Sequence, residues 1–220
     1  EGLALEVEEQ KRIVEYVCQL SPNVPIMVAV GGYNLASQLS WVHFCNQLPI
    51  HAFLLGSPLY AKPGALGQKQ WFKALLDEAD RPCMLYNVPS RSAVALEPAA
   101  IAKIQHHENC WALKEASGDV NAFLAFRQTC PAVRLYSGED GLMPYLASAG
   151  AVGLVSVCAN AWPKATQLYV QKAVSGELSD LFPVWRDATE SLFEVANPIP
   201  VKVLMHHQQQ VNSPVLRAPL

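Results

Sequence analysis

The chain reads as an α/β protein of the TIM (β/α)8 barrel class, and three observations predict it. Short apolar runs alternate with helical patterns. Residues able to do chemistry fall at the carboxyl ends of successive runs. Neither a GxGxxG loop nor a Walker A loop is present, and Gly31-Gly32 is too short to stand for one. Alternating strand and helix indicates parallel βαβ units. An open sheet gathers its ligand at one switch point, whereas a barrel builds its site from the ends of several strands, which is the pattern here.

Taken in order, the segment from Glu1 to Arg12 is acidic and helical. Apolar runs with β character follow at 25–30, 51–57, 82–88, 110–116, 133–137 and 151–158. Between them, 35–48, 67–78, 98–107, 120–129 and 142–149 repeat apolar residues at three- and four-residue spacing, the mark of a helix with one buried face. From Trp162 onward the pattern is helical only, with Pro163, Gly176, Pro183, Pro198 and Pro200 as element boundaries. The expected organisation is a barrel region over 1–161 and a C-terminal helical region over 162–220. A closed barrel takes eight strands in about 250 residues; with six runs here, the barrel is expected to lack its first strands in this sequence.

Composition narrows the function. The 220 residues are 51% hydrophobic and 16% charged, enough for one sizeable core. The net charge is −3, and Lys and Arg are scattered without interleaved aromatics, which argues against nucleic-acid binding. No run approaches the roughly 20 uninterrupted apolar residues of a membrane span, and the acidic start does not resemble a signal peptide. A cytoplasmic location is expected. The 6 cysteines show no CxxC spacing and read as small buried hydrophobes in a reducing compartment. The doublets His106-His107 and His206-His207 are chain neighbours that diverge on a helix, so no metal site is expected.

Two strand ends carry the chemistry. The run Cys110-Trp111-Ala112-Leu113 ends in Lys114, and the run beginning Pro82-Cys83-Met84-Leu85 ends in Tyr86. An amine in apolar surroundings loses hydration of its ammonium form, so a larger neutral fraction is available to attack a carbonyl and form a Schiff base. Tyr86 lies one βα unit earlier, on a neighbouring strand roughly 5 Å away, and can transfer a proton. Each residue has a plainer reading. Lys114 could be a strand-end cation paired with Glu115, Tyr86 a core aromatic, Arg91 a surface cation, and Tyr60 a turn residue packed on Pro58 or Pro63.

The motifs YNVPSR (86–91), KEASGD (114–119), YSGED (136–140), Ser57-Pro58-Leu59-Tyr60 and NPIPVK (197–202) together resemble the dihydrodipicolinate synthases. These belong to the pyruvate-dependent class I aldolase family that includes N-acetylneuraminate lyase. The resemblance covers essentially the whole chain, in order. It implies a homotetramer, a dimer of dimers, of barrels with helical extensions, condensing pyruvate with L-aspartate 4-semialdehyde in diaminopimelate and lysine synthesis without a cofactor. It implies that Lys114 forms the Schiff base and that Tyr86 relays protons. Tyr60 would complete the relay of a neighbouring subunit, Arg91 would bind the aldehyde's carboxylate, and Gly138 and Val155 would line the pocket with backbone. The family's Gly-Thr-Thr-Gly-Glu turn would end at Glu1, placing its two threonines, which bind the pyruvate carboxylate, ahead of this sequence.

Two other functions compete. A sugar-acid lyase or aldolase of the N-acetylneuraminate or 2-keto-3-deoxy type is disfavoured by Arg91 and by KEASGD after the lysine. A catalytically silent barrel subunit would follow if the front of the barrel were truly missing. The resemblance also bears on regulation: lysine-inhibited relatives hold lysine with an acidic residue, histidines and a tyrosine. The matching positions here are Gln38, Val7 or Gln10, and Leu59, with Asn34 retained, so weak inhibition or none is expected.

Overall fold

The computed structural model of the chain describes residues 1–177 and 181–220. They form two compact units, one of residues 5–135 and one of residues 1–4 with 136–220.

The first unit is a succession of strand and helix: α1 (Val7–Gln19), β1 (Met27–Val30), α2 (Leu35–Asn46), β2 (Ala52–Gly56), α3 (Gly64–Glu78), β3 (Cys83–Asn87), α4 (Pro89–Ser92), α5 (Pro98–Ala102), β4 (Cys110–Glu115) and α6 (Val120–Thr129). Strand β5 (Arg134–Ser137) begins in this unit and ends in the other. The sheet order follows the chain, β1-β2-β3-β4-β5, and the β1–β2, β2–β3 and β3–β4 ladders are parallel.

Local chemistry sets the helix starts. The α1 entry is fixed by the Glu6 N–H donating to Glu9 Oε2 at 3.0 Å. At α2 the Asn34 side chain accepts the Ser37 N–H at 3.0 Å, and at α6 Asp119 accepts the Asn121 N–H at 2.8 Å. Each satisfies a donor that the first helical turn leaves without a carbonyl. Behind the sheet, Phe53, Leu55, Phe72, Leu75, Leu85, Leu113 and Phe123 are fully buried. At about 1.5–3 kcal/mol for each such side chain, this layer is what holds the strands in place.

The second unit holds a 3-10 turn (Gly2–Ala4), α7 (Met143–Ser148), α8 (Cys158–Ala161), α9 (Pro163–Ser175), α10 (Phe182–Leu192) and α11 (Ile199–His207). Helix α9 opens on Pro163, whose missing N–H costs nothing there, and closes on Gly176, left-handed at φ 79°. Tyr169 and Trp185 stack across α9 and α10 at 4.3 Å between ring centroids.

Four elements differ from the sequence expectation. The first helix runs from Val7 to Gln19, later than the expected segment from Glu1 to Arg12. The run 151–158 is not a strand: its ladder is one parallel bridge, Ser137 to Leu154. The buried carboxyl of Asp140 accepts the Ser156 hydroxyl, the Val157 N–H at 2.9 Å and the Cys158 N–H at 3.3 Å. Those N–H groups are therefore committed to a side chain, and the segment turns into α8 instead. Helix α5 stops at Ala102 rather than 107, where i to i+3 bonds from Lys103, Ile104 and His107 tighten the chain. The short helix α4, carrying Arg91, was not expected at all.

Candidate active site

Strands β3 and β4 bring Tyr86 and Lys114 together. They are direct partners in the parallel ladder, and Lys114 Nζ stands 4.1 Å from the centre of the Tyr86 ring. The ring face attracts the ammonium form.

This pairing depends on a one-residue register shift. Cys83 pairs with Cys110 and Met84 with Ala112, so Trp111 is the extra residue. Continued without the shift, the ladder would set Leu113 opposite Tyr86. Because successive strand side chains alternate faces, the shift decides that Lys114 shares a face with the tyrosine.

The next rung is Asn87 with Glu115, both 2% exposed. Asn87 Nδ2 donates to Glu115 Oε2 at 2.7 Å, Glu115 Oε1 accepts the Ser117 N–H at 2.6 Å, and Asn87 Oδ1 accepts the Leu96 N–H at 2.9 Å. The carboxyl of Glu115 is thus engaged by Asn87 and Ser117 on the face away from the Lys114 amine. The sequence suggests Glu115 only as a partner for Lys114 and gives Asn87 no role; the structure pairs the two with each other. The available signal is a polar residue directly following Tyr86 and Lys114 at the two strand ends.

Tyr60 follows β2 in a turn, 83% exposed and at φ 67°. Its N–H donates to the Ser92 carbonyl at 2.9 Å, tying the turn to α4. The Ser92 Oγ accepts the Val94 N–H at 3.2 Å and has the carbonyls of Val88 and Val94 within reach of its one proton, at 3.0 and 2.9 Å. Arg91 sits exposed on the same short helix.

In the second unit, Gly138 and Val155 each lie one residue beyond the Ser137–Leu154 bridge, and the Val155 N–H donates to the Ser137 carbonyl at 2.9 Å. Glu1 accepts from Lys202 Nζ at 2.8 Å and from the Arg217 N–H at 2.7 Å. The lysine's hydrogen bond, then the backbone one, holds the Glu1 carboxyl below the usual carboxylate range.

A separate cleft of about 380 Å³ opens beside α1 and α2 and includes Val7, Gln10, Lys11, Gln38, Trp41 and Phe44. Gln38 and both alternatives Val7 and Gln10 line it, while Leu59 and Asn34 do not. Its charged lining group is Lys11, whose Nζ pairs with Glu8 Oε1 at 2.7 Å and lies 5.5 Å from the Phe44 ring centre; no carboxylate is among the lining residues.

All six cysteines are buried and free, and burial raises each thiol above its ordinary value, to about 12 for Cys83 and about 11 for Cys110. Among the described residues, no group of three or more His, Cys, Asp or Glu could hold a metal ion, and no helix is long and apolar enough to cross a membrane.

The sequence profile of the Dihydrodipicolinate synthetase family matches residues 1–220. The chain is 49% identical over 221 residues to the 4-hydroxy-tetrahydrodipicolinate synthase of Francisella tularensis subsp. novicida (strain U112), covering 100% of this chain and 75% of that protein. It is 40% identical over 220 residues to the enzyme of the same name from Wolbachia pipientis subsp. Culex pipiens, with the same coverage. Among solved structures, the Acinetobacter baumannii dihydrodipicolinate synthase complexed with pyruvate superposes at TM-score 0.91 and 28% identity, over 100% of this chain and 77% of that one. The Cyanidioschyzon merolae enzyme with lysine bound superposes at TM-score 0.90 and 29% identity, over 100% and 76%. The parallel α/β sheet and C-terminal helices thus have the TIM-barrel fold class of these structures.

Proposed function

The chain belongs to the dihydrodipicolinate synthetase family, and from that premise we propose that it condenses pyruvate with L-aspartate 4-semialdehyde on Lys114 to give 4-hydroxy-tetrahydrodipicolinate. It acts as a lyase of diaminopimelate and lysine biosynthesis. The observation that carries this reading is the Tyr86–Lys114 pair, an amine poised over a phenol at the ends of adjacent strands.

The Lys114 amine adds to the pyruvate ketone, and loss of water leaves an imine. Removal of a methyl proton gives the enamine, whose carbon attacks the aldehyde of the second substrate. The amino group of that substrate then displaces Lys114 from the imine carbon, closing the ring and freeing the enzyme. Tyr86 carries protons to and from the carbinolamine oxygen; a phenol linked to a second hydroxyl can do so without building up free charge. Arg91 offers a fixed guanidinium fork to the aldehyde's carboxylate.

Other roles rest on likeness to the family. Tyr60 completes the relay of a neighbouring subunit, and its exposure and pinned turn suit a side chain offered outward. Gly138 and Val155 supply backbone that binds substrate. The assembly is a homotetramer working in the cytoplasm, residues 162–220 extend the barrel of 1–161, and the reaction needs no cofactor.

The test is a direct assay of the complete protein with pyruvate and aspartate semialdehyde, run beside one with N-acetylneuraminate. Condensation without sialic acid cleavage is expected; the reverse would assign the chain to the lyase branch.

A further inference from the structure

On the sheet face opposite to Tyr86 and Lys114, Asn87 and Glu115 form a buried clamp, and we propose that this clamp is the device that positions the tyrosine ring and the lysine amine for reaction. The inference rests on the reading of Lys114 as nucleophile and Tyr86 as proton relay.

Asn87 and Glu115 directly follow those two residues and make the next rung of the same ladder. Alternation of side chains along a strand turns them to the other face, so they act on the reacting pair through the backbone they share with it. The Leu96 N–H donating to Asn87 Oδ1 fixes the amide, which leaves Nδ2 aimed at Glu115 Oε2. The second carboxyl oxygen is held by the Ser117 N–H. One network therefore ties the ends of β3 and β4, the segment before α5 and the turn after Lys114.

Burying a carboxyl is costly and is tolerated only where its oxygens are engaged. An apolar pair would fill the same space, but it would not fix the register, because dispersion contacts are not directional. The register is what matters here: the ladder shifts by one residue at Trp111, and a slip back would carry Lys114 off the Tyr86 face. The clamp lies four residues beyond that shift, on its far side from the turn that enters β4.

The geometry gives a specific test. Glu115→Gln sets an amide donor against another donor, and Asn87→Asp sets two carboxyls face to face. Combined, Asn87→Asp with Glu115→Gln reverses donor and acceptor and remakes all three hydrogen bonds. In the full chain, the rate of borohydride-trappable imine formation at saturating pyruvate is measured per folded molecule, with folding followed by circular dichroism. Each single variant is expected to slow imine formation about tenfold or more, since small misplacements of reacting groups are costly. The double variant should return to within about threefold of the parent, a non-additivity expected only of coupled partners.

Single variants that melt at lower temperature yet trap pyruvate at the parental rate would reduce the clamp to a structural feature and overturn the proposal. A double variant as slow as the singles would also overturn it. If a single variant does not fold, the double variant decides by the same criterion. A parent chain that forms no imine with pyruvate would instead refute the reading of Lys114, and the clamp's role with it.

Discussion

Lys114 Nζ stands 4.1 Å from the centre of the Tyr86 ring, on a rung of the β3–β4 ladder that exists because the register shifts by one residue at Trp111. The amine and the phenol are thereby set side by side by backbone hydrogen bonds rather than by loops. The buried layer of Phe53, Leu55, Leu85 and Leu113 behind them keeps that backbone from moving.

Arg91 is expected to serve the second substrate. Arg91→Ala should raise the KM for aspartate semialdehyde and leave pyruvate imine formation unchanged. The loss is that of a charge-assisted contact, about 1.5–3 kcal/mol, or about tenfold to a hundredfold in kcat/KM. Steady-state kinetics with each substrate varied in turn checks this, and an unchanged aldehyde KM removes Arg91 from the site.

Lysine is expected to inhibit weakly or not at all. The cleft that gathers Val7, Gln10 and Gln38 is lined by Lys11, whose amine is already paired with Glu8 at 2.7 Å, and has no carboxylate among its lining residues to receive a bound ammonium group. Losing one charged hydrogen bond costs about 1.5–3 kcal/mol, at least tenfold in affinity. Half-inhibition below about a millimolar, a binding energy near −4 kcal/mol, would contradict the assignment of these positions.

The six thiols are expected to be silent in the native protein. Burial holds Cys45 and Cys83 at about 12 and Cys110 and Cys130 at about 11, so the reactive thiolate is scarce at neutral pH. A chromogenic disulfide reagent at about pH 8 should titrate none before unfolding and all six after it. Rapid reaction of any one in the folded state would contradict their burial.

Glu1 and Lys202 should couple stability to acid. The Glu1 carboxyl is held below its ordinary value of 4.5, first by Lys202. A depressed carboxyl stabilises the fold above its unfolded value, and that contribution fades as pH falls through the folded one. Lys202→Met should therefore lower the melting temperature at neutral pH and converge with the parent in acid. The Glu1 titration, followed by NMR, should move up toward 4.5. A melting difference that persists unchanged in acid would rule the ion pair out as its source.

Most of the strand layout was legible in the sequence because parallel strands buried on both faces read as apolar runs; β2, β3 and β4 fall within one residue of the expected spans. Tyr86 and Lys114, which the ladder pairs, were legible as polar endings to those runs and, with their neighbours, as family motifs. The register was not, since an apolar run does not say which residue of its neighbour it faces, and the extra residue at Trp111 leaves no mark on hydrophobic spacing. Nor was the fate of 151–158: its composition suits a strand, but Asp140, more than ten residues earlier, takes the N–H groups of Val157 and Cys158. The Asn87–Glu115 pair was hidden for a related reason, because each partner reads alone as a strand-end polar residue and only the ladder joins them.

Lys114 is expected to be the lysine that forms the Schiff base with pyruvate. Incubating the complete protein with pyruvate and borohydride, then mapping the added mass by peptide mass spectrometry, tests it most directly. The label should fall on Lys114, disappear in a folded Lys114→Ala variant and persist in Lys164→Ala. A label on any other lysine, or one that survives Lys114→Ala, would contradict the account.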